Sequence, residues 1–99
     1  MLHELKRYLR ITWEDEDTEA YVDGILQRAK AKLNRYAGTE IDFDANADER
    51  QLLLDCCRYI YNHAAEHFEE DFSGELIALR NRYAVEGYLD EQSTEVSGV

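Results

Sequence analysis

Ninety-nine residues make one domain rather than two, and a chain this short buries only roughly 60 to 70 per cent of its unfolded surface, so its core is thin. With 44% hydrophobic and 33% charged residues and no proline, the composition favours an ordered helical protein over a disordered chain. Eleven basic against 22 acidic residues leave a net charge of −11, which repels phosphate and argues against sequence-specific DNA binding and attachment to an anionic membrane.

At the amino terminus, Met1-Leu2-His3-Glu4-Leu5-Lys6-Arg7 puts charges inside the first helical turns, unlike a signal peptide, so the protein is expected to stay where it is made. Leu2, Leu5, Tyr8 and Leu9 recur at spacings of three and four and predict a short helix ending near Arg10. Ile11-Thr12-Trp13 breaks that pattern. The acidic run Glu14 to Glu19 then reads as a helix start, because free N–H groups and the positive end of the dipole favour carboxylates in a first turn. From about Asp17, the residues Tyr21, Val22, Ile25, Leu26, Ala29, Leu33, Tyr36 and Ala37 predict an amphipathic helix. Gly38 closes it, with Arg28, Lys30, Lys32 and Arg35 gathered toward its carboxyl end. Gly24 either costs this helix about 1 kcal/mol against alanine or marks a close helix approach.

Thr39 to Ala47 is the longest connection, and within it Ile41 and Phe43 alternate with acids and are expected to tuck under a loop. Asn46 followed by Glu49 predicts a helix cap in which the glutamate returns a hydrogen bond. The next helix has too many apolar positions for one stripe. One face is Leu53, Cys56, Cys57, Ile60, Ala64 and Phe68, and a second includes Leu54, Tyr61 and Ala65. Such a helix sits in the middle of its bundle or gives one side to another subunit. Phe72-Ser73-Gly74 interrupts or kinks the pattern before Leu76, Ile77, Leu79, Tyr83 and Ala84 resume it, and the last helix is expected to fade near Glu86. The predicted fold is all-α: a small bundle of about four helices over residues 1–86, followed by a flexible acidic tail over 87–99. No segment approaches the ~20 apolar residues that span a bilayer.

Cys56 and Cys57 are adjacent, a spacing that a helix cannot bridge, so they read as reduced core thiols. His63-Ala64-Ala65-Glu66-His67 matches the H-x-x-E-H arrangement of inverted zinc proteases, in which two histidines on one helical face hold zinc and the glutamate activates water. A third ligand from another element and a cleft would also be needed, and the blander reading is two partly exposed histidines near a helix end. Cys56 lies ~10 Å along the helix from His63, too far to share one ion comfortably. No phosphate-binding glycine loop and no nucleophile beside a base is found, so no catalytic residue, metal or cofactor is expected. The aromatic content is more informative. Seven tyrosines and Trp13 exceed what a thin core hides, and Tyr, Trp and Arg are favoured at protein interfaces. The candidate interface residues are Trp13, Arg58, Tyr61, Arg80 and Tyr83.

The order of these segments resembles the small head-tail connector proteins of tailed bacteriophages and prophages. The resemblance is carried by Leu2-x-x-Leu5-x-x-Tyr8-Leu9-x-Ile11-Thr12-Trp13 followed by acids and by Ala29-Lys30-x-x-Leu33-x-x-Tyr36-Ala37-Gly38. It continues in Gln51-Leu52-Leu53-Leu54-Asp55-x-Cys57-Arg58-Tyr59-x-Tyr61-Asn62 and in Phe68-Glu69-x-x-Phe72 with Leu76-x-x-Leu79, and so spans residues 2 to 83. It implies an all-α, non-enzymatic virion protein that assembles as a ring, twelvefold, beneath the portal of the filled capsid. Its partners would be other copies of itself, the portal protein and the next head-completion or tail protein, with DNA passing through the channel without specific binding. It would reside in the host cytoplasm during assembly and then at the head-tail junction. On this reading the last two helices supply subunit contacts and the acidic segment Glu14 to Glu19 faces solvent or the channel. The alternative is a monomeric or dimeric acidic interaction module that binds a basic protein partner.

Overall fold

A computed structural model describes the backbone of residues 1–97 and the side chains of residues 1–85. Five helices follow one another: α1 (Leu2–Tyr8), α2 (Glu16–Ala37), α3 (Ala47–Tyr61), α4 (Ala65–Asp71) and α5 (Ser73–Ser97), with no strand among the described residues. α2 and α3 form the central pair. α1 lies against both, α5 packs along α2, and α4 bridges α3 and α5.

The apolar stripe of α2 buries Val22, Ile25, Leu26, Ala29 and Leu33, and α3 answers with Leu52, Leu53, Leu54, Cys56 and Cys57. Each fully buried leucine or isoleucine contributes about 1.5–3 kcal/mol relative to exposure, so these two helices carry most of the driving force for folding. Ile41 and Phe43 are buried beneath the α2–α3 connection, as their alternation predicts, and the Ile41 N–H donates to Asn34 Oδ1 at 2.9 Å. Gly24 is not a close approach: a Cβ there would meet nothing within 4 Å.

The predicted starts of α2 and α3 are present as side-chain caps. Asp15 Oδ1 accepts from the Thr18 N–H at 2.7 Å, and Asn46 Oδ1 accepts from the N–H groups of Asp48 and Glu49 at 2.9 and 3.2 Å. Gly38, at φ 78°, closes α2 in the left-handed conformation that glycine adopts without strain.

The single helix expected across Leu52 to Phe68 is instead two. α3 stops at Tyr61, where His63 takes φ 58° and the N–H groups of His63 and Ala64 donate back to the carbonyls of Ile60 (3.1 Å) and Tyr59 (2.8 Å). This is a Schellman closure with histidine in the place usually taken by glycine, so composition gives no warning of it. α1 ends the same way, with Arg10 at φ 60° and Ile11 N–H donating to the Lys6 carbonyl at 2.8 Å. α4 is then seated by aromatic packing: Tyr59 meets Phe68 and Phe72 edge-on at 5.6 and 5.5 Å, while Phe68 and Phe72 stack at 4.8 Å. The interruption foreseen at Phe72-Ser73-Gly74 is the one-residue joint between α4 and α5.

α5 does not fade near Glu86 but runs on through Ser97. With no proline in the chain, the lone Gly87 costs a helix about 1 kcal/mol without ending it. The flexibility expected of residues 87–99 concerns side chains, and in Gly98 and Val99 a backbone, that lie outside the described residues.

Candidate functional site

Two surfaces stand apart from the rest of this acidic protein. The first is built where α1 hands over to α2. Ile11 turns inward and is buried, which throws Trp13 outward with 62% of its surface exposed. One turn into α2, Tyr21 is 48% exposed, and its ring meets Tyr61 of α3 edge-on at 6.5 Å. Trp13, Tyr21, Tyr61 and Ile11 line a shallow depression of about 260 Å3 whose rim is Asp17 and Thr18. The acids beside it divide by task. Asp15 is occupied by its cap, and the Thr18 N–H and hydroxyl hold its carboxyl below the usual carboxylate range. Glu19 pairs with Lys6 at 3.7 Å. Glu14, Glu16 and Asp17 are exposed and form no ion pair among the described residues.

The second surface is basic. The carboxyl half of α2 bears Arg28, Lys32 and Arg35 on the side facing α4 and α5, and Arg80 of α5 closes over them to form a groove of about 450 Å3 floored by Tyr36, Ile60 and Ala65. One carboxylate enters it: Glu69 sits 3.4 Å from Lys32 and is held below the ordinary carboxylate range, first by the Tyr36 hydroxyl and then by the Lys32 ammonium. Burial, and then the hydrogen bond to Glu69, pushes the Tyr36 phenol up. Arg28 Nε donates to the Gly24 carbonyl at 3.4 Å. Among the described residues, Arg28, Arg35 and Arg80 have no carboxylate within ion-pair distance.

The remaining interface candidates make contacts within the chain. Tyr83 is half-buried and its hydroxyl donates to Glu49 Oε2 at 2.7 Å, while Arg82 donates to Oε1 at 2.6 Å. Glu49, only 4% exposed, therefore bonds to α5 rather than returning to its own cap, which corrects the reciprocal cap expected from Asn46 and Glu49. Arg58 lies 3.9 Å from Asp55 and 5.2 Å from the centre of the Tyr59 ring, next to the 2.5 Å hydrogen bond from the Tyr8 hydroxyl to Asp55. The structure thus brings Trp13 and Tyr61 together, puts Arg80 in the basic groove, and holds Arg58 and Tyr83 in contacts of their own. Tyr21 and Arg28 belong to these surfaces but were not singled out from the sequence. The signal for Arg28 was the charge split along α2, acids before Gly24 and bases after it, whereas Tyr21 reads as part of the apolar stripe and is nonetheless half exposed.

The H-x-x-E-H segment straddles the break between α3 and α4, so His63 sits in a left-handed turn and His67 on a different helix. Its helical premise is gone, and no cluster of three His, Cys, Asp or Glu side chains suited to a metal occurs among the described residues. Cys56 and Cys57 are free and buried, and burial pushes their thiols up to about 11 and about 12, which makes them poor nucleophiles at neutral pH. No helix among the described residues is long and apolar enough to cross a membrane. In comparisons with known proteins, no family model, no curated protein and no solved structure matches the chain.

Proposed function

We propose that this chain is a non-enzymatic structural protein of the phage head-tail connector type, which assembles as a ring under the portal and extends the DNA channel. The observation that carries this reading is the exposed aromatic surface of Trp13 and Tyr21 backed by Tyr61, on a domain whose core is already closed without it. Tryptophan and tyrosine supply rigid, high-area contacts, and residues of this kind dominate binding energy when a partner excludes water from them. A net charge of −11 suits a channel wall, since carboxylates let a phosphate backbone slide past without adhering. The resemblance over residues 2 to 83 supplies the rest: twelvefold symmetry, the portal protein on one side, and the next head-completion or tail protein on the other. The place of action is then the host cytoplasm during assembly and the head-tail junction of the virion afterwards.

Light scattering over a concentration series, with electron microscopy of any large species, tests this reading. Rings of about a dozen copies around a central hole are the expected result. Trp13→Ala should abolish them while leaving the folded monomer intact, because its side chain stands in solvent. Tyr61→Ala should weaken assembly more than folding. Rings unaffected by either change would remove this surface from the account.

A second reading, an acidic module that captures a basic partner, draws support from a different groove. Asp48, Asp55 and Glu75 line a hollow of about 360 Å3 between α3 and α5, with Arg82 at its edge. A stable dimer that never grows, and that binds a lysine-rich peptide through Asp48 and Glu75, would favour it over the ring.

A further inference from the structure

We infer that the basic groove receives the acidic, aromatic start of α2 from a second copy of this chain, so that copies associate head to tail. The inference rests on the connector reading only for the closure of such a chain into a ring. On a protein with twice as many acids as bases, three arginines, Arg28, Arg35 and Arg80, converge on one groove with no carboxylate in ion-pair contact among the described residues. Like charges that gather without partners repel one another, and they are relieved by an anionic occupant.

The same chain carries a complementary surface. Glu14, Glu16 and Asp17 are equally without ion pairs among the described residues, and they flank the exposed rings of Trp13 and Tyr21. Both surfaces are organised by α2, yet Asp17 and Arg28 are eleven residues apart, about 17 Å along the helix axis, and Arg35 lies further on. The acids at the start of α2 therefore cannot fill the groove of their own copy, where the carboxylate that lines it, Glu69, is engaged by Lys32. Two copies can, and the contact uses two unlike surfaces, which leaves one of each free at the ends of every pair. An interface of that kind propagates, and it closes into a ring when the rotation per copy permits. The groove offers Tyr36 and Ile60 as an apolar floor for Trp13, and its arginines can both pair with the carboxylates and stack on the indole.

Charge reversal in the full chain tests the assignment. Arg28→Glu with Arg80→Glu makes the groove acidic, and Glu14→Lys, Glu16→Lys and Asp17→Lys together make the run basic. All five side chains are exposed, and circular dichroism reports whether each variant folds. Sedimentation of either variant alone should show association weakened by about tenfold or more, because like charges then face each other. Mixing the two should restore association close to that of the unaltered chain, since every contact in an alternating assembly is again between opposite charges. Restoration by mixing cannot come from a merely misfolded variant. Association should also weaken as salt is raised. Rings that form equally well from either variant alone would overturn this interface and leave the connector reading standing. Open chains or dimers that respond to the reversals, with no ring, would support the interface and count against the connector. A chain that stays monomeric at low salt at every concentration would overturn the inference outright.

Discussion

α2 and α3 begin alike and end up doing different work. Each opens with a side-chain cap, Asp15 or Asn46, followed by carboxylates in the first turn, where unpaired N–H groups favour negative charge. At α2 the acids Glu16 and Asp17 stay in solvent. At α3 the third residue, Glu49, is drawn inward and fixes α5 through Arg82 and Tyr83. The local chemistry is the same, and the outcome is decided by whether another element brings a cation and a hydroxyl into reach. A helix start can thus serve as a surface in one place and as a tertiary node in another.

The sharpest way to break that contrast is to remove the cation. Arg82→Met leaves Glu49 buried with its charge only partly met, and should cost about 3 kcal/mol in urea unfolding, whereas Asp17→Asn should change stability by less than about 0.5 kcal/mol. Equal effects would mean that the two acidic starts are equivalent after all. The caps should behave alike despite this difference: Asp15→Ala and Asn46→Ala should each cost about 1 kcal/mol, because each removes an acceptor for first-turn N–H groups. Just past the end of α3, His63→Gly should gain roughly 0.5–1 kcal/mol by relieving a left-handed backbone, and inside α2, Gly24→Ala a similar amount because a methyl group there meets open space. Thermal unfolding of each variant checks these signs.

Acid should act on the pairs and caps. The hydrogen bond from Arg50 holds the Glu4 carboxyl below its usual range, and Thr18 does the same for Asp15. A carboxyl whose folded pKa lies below its unfolded one adds stability above the unfolded value and loses it as pH falls through the folded one. Stability should therefore fall below about pH 5. Arg50→Met removes the main cause of the Glu4 shift and should flatten that fall, whereas an unchanged slope would place the acid sensitivity elsewhere.

Much of the fold was legible in the sequence because its signals are local. The stripe of α2, its stop at Gly38, the cap at Asn46 and the inward turn of Ile41 and Phe43 each follow from spacing or from one residue's conformational preference. The break at His63 was not legible, since a left-handed closure was carried by histidine where glycine is the usual sign. Nor was the Glu49 node, whose partners come from 33 and 34 residues away and leave no periodic trace. Of the candidate surfaces, Trp13, Tyr61 and Arg80 were found by residue type. Their separation onto two faces, and the addition of Tyr21 and Arg28, depend on how α2 rotates against α3 and α5.

The head-to-tail contact is tested most directly by carbodiimide coupling in an equal mixture of 14N- and 15N-labelled chains, followed by mass spectrometry of the linked peptides. Lys32 lies in the groove and supplies the amine, and its own neighbour Glu69 gives a same-label link as an internal control. The account predicts mixed-label links joining Lys32 to the segment from Glu14 to Glu19. Same-label links alone, or mixed-label links that avoid both the groove and that segment, would contradict it.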